Sequence, residues 1–372
     1  MKNLFISLLL PFVLLTDSKD EQYMIVGTYT GGKSEGIYVY NFNSADGSAK
    51  EVSHVKTSNP SYLTISPDKK YVYAIHENQR NGNGGEISAF RFDKSNGTLT
   101  QINEQPTGGD HPCYVEVDKT GKWVFAGNYS SGSLSVIPVN ADGSLGKPTT
   151  HIQHTGSGKD KERQDKPHVH CTVVSPDNKW LFVPDLGIDK LMIYAFNDKT
   201  GELTPASPAF MAPEPGAGPR HFTFHPNNKF AYLITELTGQ VITYSYNKGK
   251  LKQLQVVSTI APGEKGFAGS ADIHVSPDGK FLYASNRGDF NNIAIYKIDA
   301  KTGKLTSVGF QPTLGKAPRN FNFDPTGGFL IVGNQESDEI VIFKRNMATG
   351  LLTDTGNRVS VGKPVCVKWV TL

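Results

Sequence analysis

Apolar and polar positions alternate in short runs along the chain, and one run recurs seven times: an aromatic residue, a few apolar residues, then a polar pair. The copies are YMIVGTY from Tyr23, YVYAIHE from Tyr71, WVFAGNY from Trp123, WLFVPDL from Trp180, FAYLITE from Phe230, FLYASNR from Phe281 and FLIVGNQ from Phe329. They begin 48 to 57 residues apart. A period of that length marks a propeller or a solenoid. Each copy is followed by a second alternating run rich in Ile, Val and Tyr, such as GIYVYNF, QVITYSY and NIAIYKI, which is strand chemistry. A turn with Asp-Gly, Asn-Gly or Thr-Gly and a further short strand come next, as in SNGTLTQI and KTGKLTSV. The glycine there supplies the positive φ of a tight hairpin. A fourth strand leads into the next aromatic copy through a Ser-Pro-Asp type corner, as in PSYLTISPD and SADIHVSPD.

Four strands in each of seven units predict an all-β, seven-bladed β-propeller. The first unit begins at Tyr23 with no inner strand before it, and the chain ends on the strand KPVCVKWV. The C-terminal strand is therefore expected to complete the first blade and leave no unpaired sheet edge. A single propeller domain is expected over residues 19–372. The longest interval, from Trp123 to Trp180, holds the charged stretch His151–Lys166, read as an exposed loop between the third and fourth blades.

Positions that build a blade should repeat, and positions that do chemistry should differ from blade to blade. At the start of the inner strands the aligned residues are Ser61, Cys113, His170, Arg220, Ala271, Arg319 and Val365. At the end of the following strands they are Tyr29, Glu77, Tyr129, Leu186, Glu236, Arg287 and Gln335. Antiparallel pairing brings both columns to one mouth of the central channel. Charge is uneven there. His170, Arg220, Glu236, Arg287 and Arg319 belong to blades four to seven, while the first three blades are mostly neutral apart from Glu77 and the adjacent His76. A polar, one-sided mouth is the expected ligand site, and three converging arginines call for a carboxylate or phosphate. His168 reads as a loop residue, and His221, His225 and His274 read as structural.

Composition narrows the function classes. The 372 residues carry 38 Lys and Arg against 35 Asp and Glu, a net charge of +3, which argues against a charge-driven nucleic-acid partner. Cys113, Cys171 and Cys366 form no pair with metal-ligand spacing and read as buried free thiols. The arginine-rich mouth opposes a bound cation, so no metal is expected there. Lys2 followed by the apolar run from Leu4 to Leu15 reads as a secretory signal over residues 1–18. The run is too short to span a bilayer core of about 30 Å. Export to the periplasm or medium is expected, with a cytoplasmic protein the alternative, and no membrane association beyond the signal. The molecule is expected to be a monomer or weak dimer.

The segments GAGPRHFTFHPNNKFAYLITEL, SADIHVSPDGKFLYASNR and PRNFNFDPTGGFLIVGNQ resemble the β-propeller 6-phosphogluconolactonase family, which also includes the carboxy-cis,cis-muconate lactonizing enzymes. The resemblance runs over essentially the whole chain after Tyr23. It implies a metal-independent lactonase without cofactor, acting on a small anionic sugar lactone. By resemblance the catalytic residues fall on His170, Arg220, Glu236 and Arg287. Arg319 joins them from the column comparison, and His76 and Asn128 are taken as further substrate contacts. In this reading His170 is the base for water, Glu236 orients it or exchanges protons with the leaving oxygen, Arg220 stabilises the oxyanion, and Arg287 and Arg319 hold the anionic group. The substrate is 6-phosphogluconolactone or a related aldono- or uronolactone, an exported chain favouring the unphosphorylated kinds. A lactonizing cyclase and a non-catalytic propeller that binds carbohydrate or protein remain as alternatives.

Overall fold

The computed structural model describes residues 21–79 and 84–371. The apolar run from Leu4 to Leu15, and with it the expected signal over residues 1–18, lies outside the described residues. Among the described residues the strands form seven four-stranded antiparallel sheets, and no helix is long and apolar enough to cross a membrane. Each sheet is one blade.

The first blade is assembled from both ends of the chain. Strand Pro364–Thr371 pairs antiparallel with Glu21–Thr28, in the register Tyr23 to Val370 and Val26 to Val367. Strands Gly36–Asn43 and Ala49–Lys56 complete that sheet. The expected closure is therefore present.

One contact explains why the repeat exists. The glycine in the outer hairpin of each blade lies against the aromatic residue that opens the second strand of the preceding blade. A Cβ on Gly143 would come within 2.1 Å of the Tyr71 ring, and one on Gly249 within 2.3 Å of Trp180. The same juxtaposition joins Gly97 to Tyr23, Gly201 to Trp123, Gly303 to Phe230 and Gly350 to Phe281. It also joins Gly47 of the first blade to Phe329 of the seventh, so the contact that links successive blades closes the circle. Tyrosines two residues along from the aromatic reinforce it. The Tyr73, Tyr232 and Tyr283 hydroxyls donate to the carbonyls of Gly143, Gly303 and Gly350 at 3.3, 3.0 and 2.5 Å.

The Ser-Pro-Asp corners have a local cause. The corner hydroxyl of Ser66, Ser175 or Ser276 accepts the backbone N–H of Tyr71, Trp180 or Phe281. In two blades a carboxylate replaces it: Asp118 accepts from Trp123 and Asp324 from Phe329. Each corner thus fixes where the aromatic strand starts. Apolar side chains of adjacent blades then interdigitate, as Phe281, Tyr283 and Ile295 do with Phe321, Leu330 and Phe343.

The glycine contact is directly testable. Gly249→Ala must place a methyl group at positive φ and against the Trp180 ring. It is expected to lower stability by about 2–4 kcal/mol in urea denaturation, combining overpacking with backbone strain. Gly263 also has positive φ but has nothing within 4 Å of its Cβ position, so Gly263→Ala should cost only the backbone strain, about 1 kcal/mol. Equal losses in the two variants would show that ring packing is not the constraint.

Candidate active site

The start of each inner strand and the end of the next strand do meet at one mouth of the channel. There Tyr29, Glu77, Cys113, Tyr129, Arg163, His170, Glu236, Arg287 and Arg319 line a cavity of about 180 Å³. It opens into an outer depression of about 440 Å³ that adds Phe267, Gly269 and Gln335. Below it a constriction of about 10 Å³ is bounded by Ser61, Cys113, His170, Arg220, Arg319 and Val365, the aligned starts of the inner strands.

Glu236 is the centre of the charged half. Its Oε1 accepts from Arg163 Nη2 at 2.6 Å, and its Oε2 from Arg220 Nε at 2.9 Å, with Arg287 Nη2 also 2.9 Å away. Burial opposes the ionised carboxyl, but Arg287, Arg220 and Arg163 outweigh it and hold Glu236 well below the usual carboxylate range. Arg220 is itself fully buried and donates through Nη1 to the Ala271 carbonyl at 2.6 Å. His221 lies beside that guanidinium and bonds Asp272 at 2.8 Å through Nδ1. Burial and the Arg220 charge push His221 down to about 4, so it is a neutral partner.

The other half is built round Glu77. Its Oε2 accepts from the Tyr29 hydroxyl at 2.7 Å and the Ser61 hydroxyl at 2.5 Å. Arg319 lies between the halves, its guanidinium 5.5 Å from the Tyr29 ring centroid and 4.0 Å from the Glu77 carboxylate. Among the described residues Arg319 donates no hydrogen bond. Burial disfavours its charge, but the Tyr29 ring face and the Glu77 carboxylate more than compensate and keep it cationic.

His170 is buried, with Nδ1 3.7 Å from the Cys113 sulfur. Burial and the Arg220 and Arg319 charges disfavour its protonated form, so the ring is a neutral imidazole. Burial likewise pushes the Cys113 thiol far up, which removes it as a nucleophile.

Of the residues singled out in sequence, His170, Arg220, Glu236, Arg287 and Arg319 therefore come together. His76 and Asn128 do not. Each precedes a mouth residue, Glu77 or Tyr129, and successive strand residues point to opposite faces. His76 Nε2 instead meets the Thr57 hydroxyl at 3.0 Å, and its Nδ1 lies 3.5 Å from Glu104. His76, Glu86 and Glu104 could hold a metal ion, but they sit within blade two, outside the mouth cavity. Asn128 is fully buried and donates to Ser133 at 3.1 Å. Asn286 and Asn334 occupy equivalent positions and also bond within the fold. A repeated role of that kind is architectural.

The stretch His151–Lys166 is not a simple exposed loop. Its first residues finish the outer strand Thr150–Gln153. His154 is buried between Asp185, at 2.7 Å, and Tyr194, at 2.9 Å. Gln164 is buried and anchored on Asp189 at 2.6 Å. Arg163 is thereby delivered to Glu236. Sequence columns could not find it, because an insertion has no counterpart in the other blades; its only signal was the break in the period. The stretch Gly27–Ser34 also spells a phosphate-binding loop, and Gly32–Gly36 a nucleophile elbow. Both motifs need a following helix. Here the chain enters strand Gly36–Asn43, and the Ser34 hydroxyl is tied to Thr28 at 2.5 Å.

A second cavity of about 320 Å³ lies at the other end of the inner strands, lined by residues including Tyr62, Tyr114, Glu116, His274 and Lys368. It lacks the guanidinium cluster. Four arginines against three carboxylates, Glu77, Glu236 and Glu336 of the outer depression, give the first mouth a net positive charge.

Comparison with known proteins agrees with this architecture. Residues 23–369 match the family described as lactonase, 7-bladed beta-propeller. The 6-phosphogluconolactonase of Bacillus subtilis strain 168 is 41% identical over 348 residues, 93% of this chain and 97% of that one. The 6-phosphogluconolactonase of Formosa agariphila is 42% identical over 333 residues, 88% of this chain and 94% of that one. The structure of the periplasmic gluconolactonase of Pseudomonas aeruginosa superposes with a TM-score of 0.90 at 41% identity, covering 94% of this chain and 99% of that one.

Glu236→Gln is expected to destabilise the fold by about 3 kcal/mol, because it leaves a buried guanidinium cluster without its counter-charge. Added sulfate should restore part of the loss by taking the carboxylate's place. The pH dependence has a fixed sign. A folded-state carboxyl held below its unfolded value of about 4.3 contributes fully above that pH and is lost as the pH falls towards the folded value. Unaltered urea midpoints in Glu236→Gln, with or without sulfate, would contradict this account.

Proposed function

The chain belongs to the seven-bladed β-propeller lactonase family, and from that premise we propose that it hydrolyses an anionic sugar lactone at the arginine-rich mouth. The observation that carries the reading is Arg319. A cation in a confined cavity, with no hydrogen bond to any described residue, is a receptor for an anion. Arg287, one of the three arginines held by Glu236, faces the same space.

Lactone opening places negative charge on the former carbonyl oxygen. Preorganised donors are worth most in such a water-poor setting. Arg220 supplies them, held by Glu236 and Ala271 so that it does not reorient during reaction. Glu236, ionised and occupied on both oxygens, orders the arginines rather than transferring protons. His170 offers a neutral ring in contact with the constriction, suited to ordering the attacking water. With the positive charge coming from arginines, turnover is expected to survive chelation by EDTA.

The proposed substrates are 6-phosphogluconolactone and related aldono- or uronolactones. Purified protein assayed on a panel of these, corrected for spontaneous opening, tests the reading. Arg319→Ala is expected to raise KM about tenfold or more for the anionic lactones, change kcat less, and leave neutral lactones nearly unaffected. A wild-type protein inactive on every lactone would overturn the assignment. An equal effect of Arg319→Ala on charged and neutral lactones would remove Arg319 as the anion receptor.

A further inference from the structure

Hydrolysis requires a group that takes a proton from the attacking water, and the mouth offers three candidates: His170, Glu236 and Glu77. Glu236 is excluded by its contacts, since guanidinium groups occupy both oxygens. A proton gained by His170 would create an imidazolium facing Arg220 and Arg319, adding positive charge where it is already in excess. Glu77 differs from both. Its Oε2 is pinned by Tyr29 and Ser61, while its Oε1 accepts no hydrogen bond from the described residues. The side chain keeps 16% exposure to the cavity, and its backbone is fixed by the Glu77 N–H donating to the Asn59 carbonyl at 3.0 Å.

We propose that Glu77 is the general base of the reaction, with its Oε1 taking the proton of the attacking water. This rests on the lactonase reading above. Glu77 and Glu236 occupy the same structural position in blades two and five, on opposite sides of the mouth. Their surroundings give them different work. Glu236 is a fixed counter-charge among three arginines. Glu77 is held by two hydroxyl groups and one distant guanidinium, and taking up a proton removes a charge instead of creating one.

The step balances without a further reactant. The water oxygen bonds to the lactone carbonyl carbon, and the water proton passes to Glu77. The carbonyl oxygen carries the charge beside Arg220. As the intermediate collapses, the bond between the carbonyl carbon and the ring oxygen breaks, and the Glu77 proton moves to the departing oxygen as it becomes a hydroxyl. The new carboxylic acid loses its own proton to solvent, and Glu77 is a carboxylate again.

The test is Glu77→Gln, which keeps an amide oxygen for Tyr29 and Ser61. On a lactone turned over by the wild type, kcat is expected to fall about 10²-fold or more with KM nearly unchanged. Binding of the product aldonate, measured by calorimetry, should be retained, which separates lost chemistry from a damaged site. The acid limb of the pH profile of kcat/KM should vanish in Glu77→Gln and persist in His170→Ala. The groups facing Glu77 that could perturb this limb are Tyr29, Cys113 and Arg319. An active wild type with Glu77→Gln within threefold of it, with its acid limb intact, or with aldonate binding lost in step with the rate overturns this inference alone. A wild type inactive on all lactones overturns the parent reading and this inference with it.

Discussion

The glycine–aromatic contact between neighbouring blades is the constraint on which this molecule depends. Each outer hairpin must bring its backbone flat against a ring of the preceding blade, and only a residue without a Cβ fits. The contact sets the angle between sheets, and its seventh instance, Gly47 against Phe329, makes the angles sum to a closed circle. Closure in turn fixes the C-terminal strand beside Glu21–Thr28 and leaves every blade four strands deep. With the ring rigid, strand ends from seven blades become fixed points round one opening. The chemistry can then vary blade by blade without disturbing the frame.

The frame holds an arrangement that would not be stable in a flexible one. Four guanidinium groups crowd the mouth, and Arg220 is completely buried. Buried charge is costly unless every polar atom has a partner. Glu236 answers most of that demand, and the Ala271 and Gly269 carbonyls take further donors from Arg220 and Arg287. What is left over is Arg319, near only the Glu77 carboxylate and the Tyr29 ring, and it is the group proposed to meet a ligand. In the proposed reading, stability and function divide the same cluster: the arginines held by Glu236 sustain the pocket, and Arg319, which donates no hydrogen bond to the described residues, recruits the substrate.

The ring was legible in the sequence because the same physical demand recurs seven times. Aromatic starts, hairpin glycines and corner hydroxyls each mark one inter-blade or intra-blade contact. The site was legible where it broke that rule at aligned positions, as with Arg220 and Arg319 against Ser61 and Val365. It was not legible in the insertion, where Arg163 has no aligned partner and reaches the mouth only because His154 and Gln164 anchor the loop. His76 and Asn128 lie off the mouth cavity because neighbours on a strand face opposite ways, and one position decides whether a side chain meets the cavity or the sheet. Even where a residue reaches the mouth as expected, its role depends on what surrounds it. Alone, His170 suggests a base; only the surrounding arginines show that its charged form is disfavoured.

A crystal structure of the wild-type protein with a bound aldonate, the product of lactone opening, tests the central claim most directly. The account predicts the aldonate in the mouth cavity, with its anionic group hydrogen-bonded to Arg319 and its chain lying between Glu77 and the Glu236 cluster. An aldonate seated instead in the opposite cavity among Tyr114, Glu116 and Lys368, with the arginine-rich mouth empty, would contradict it.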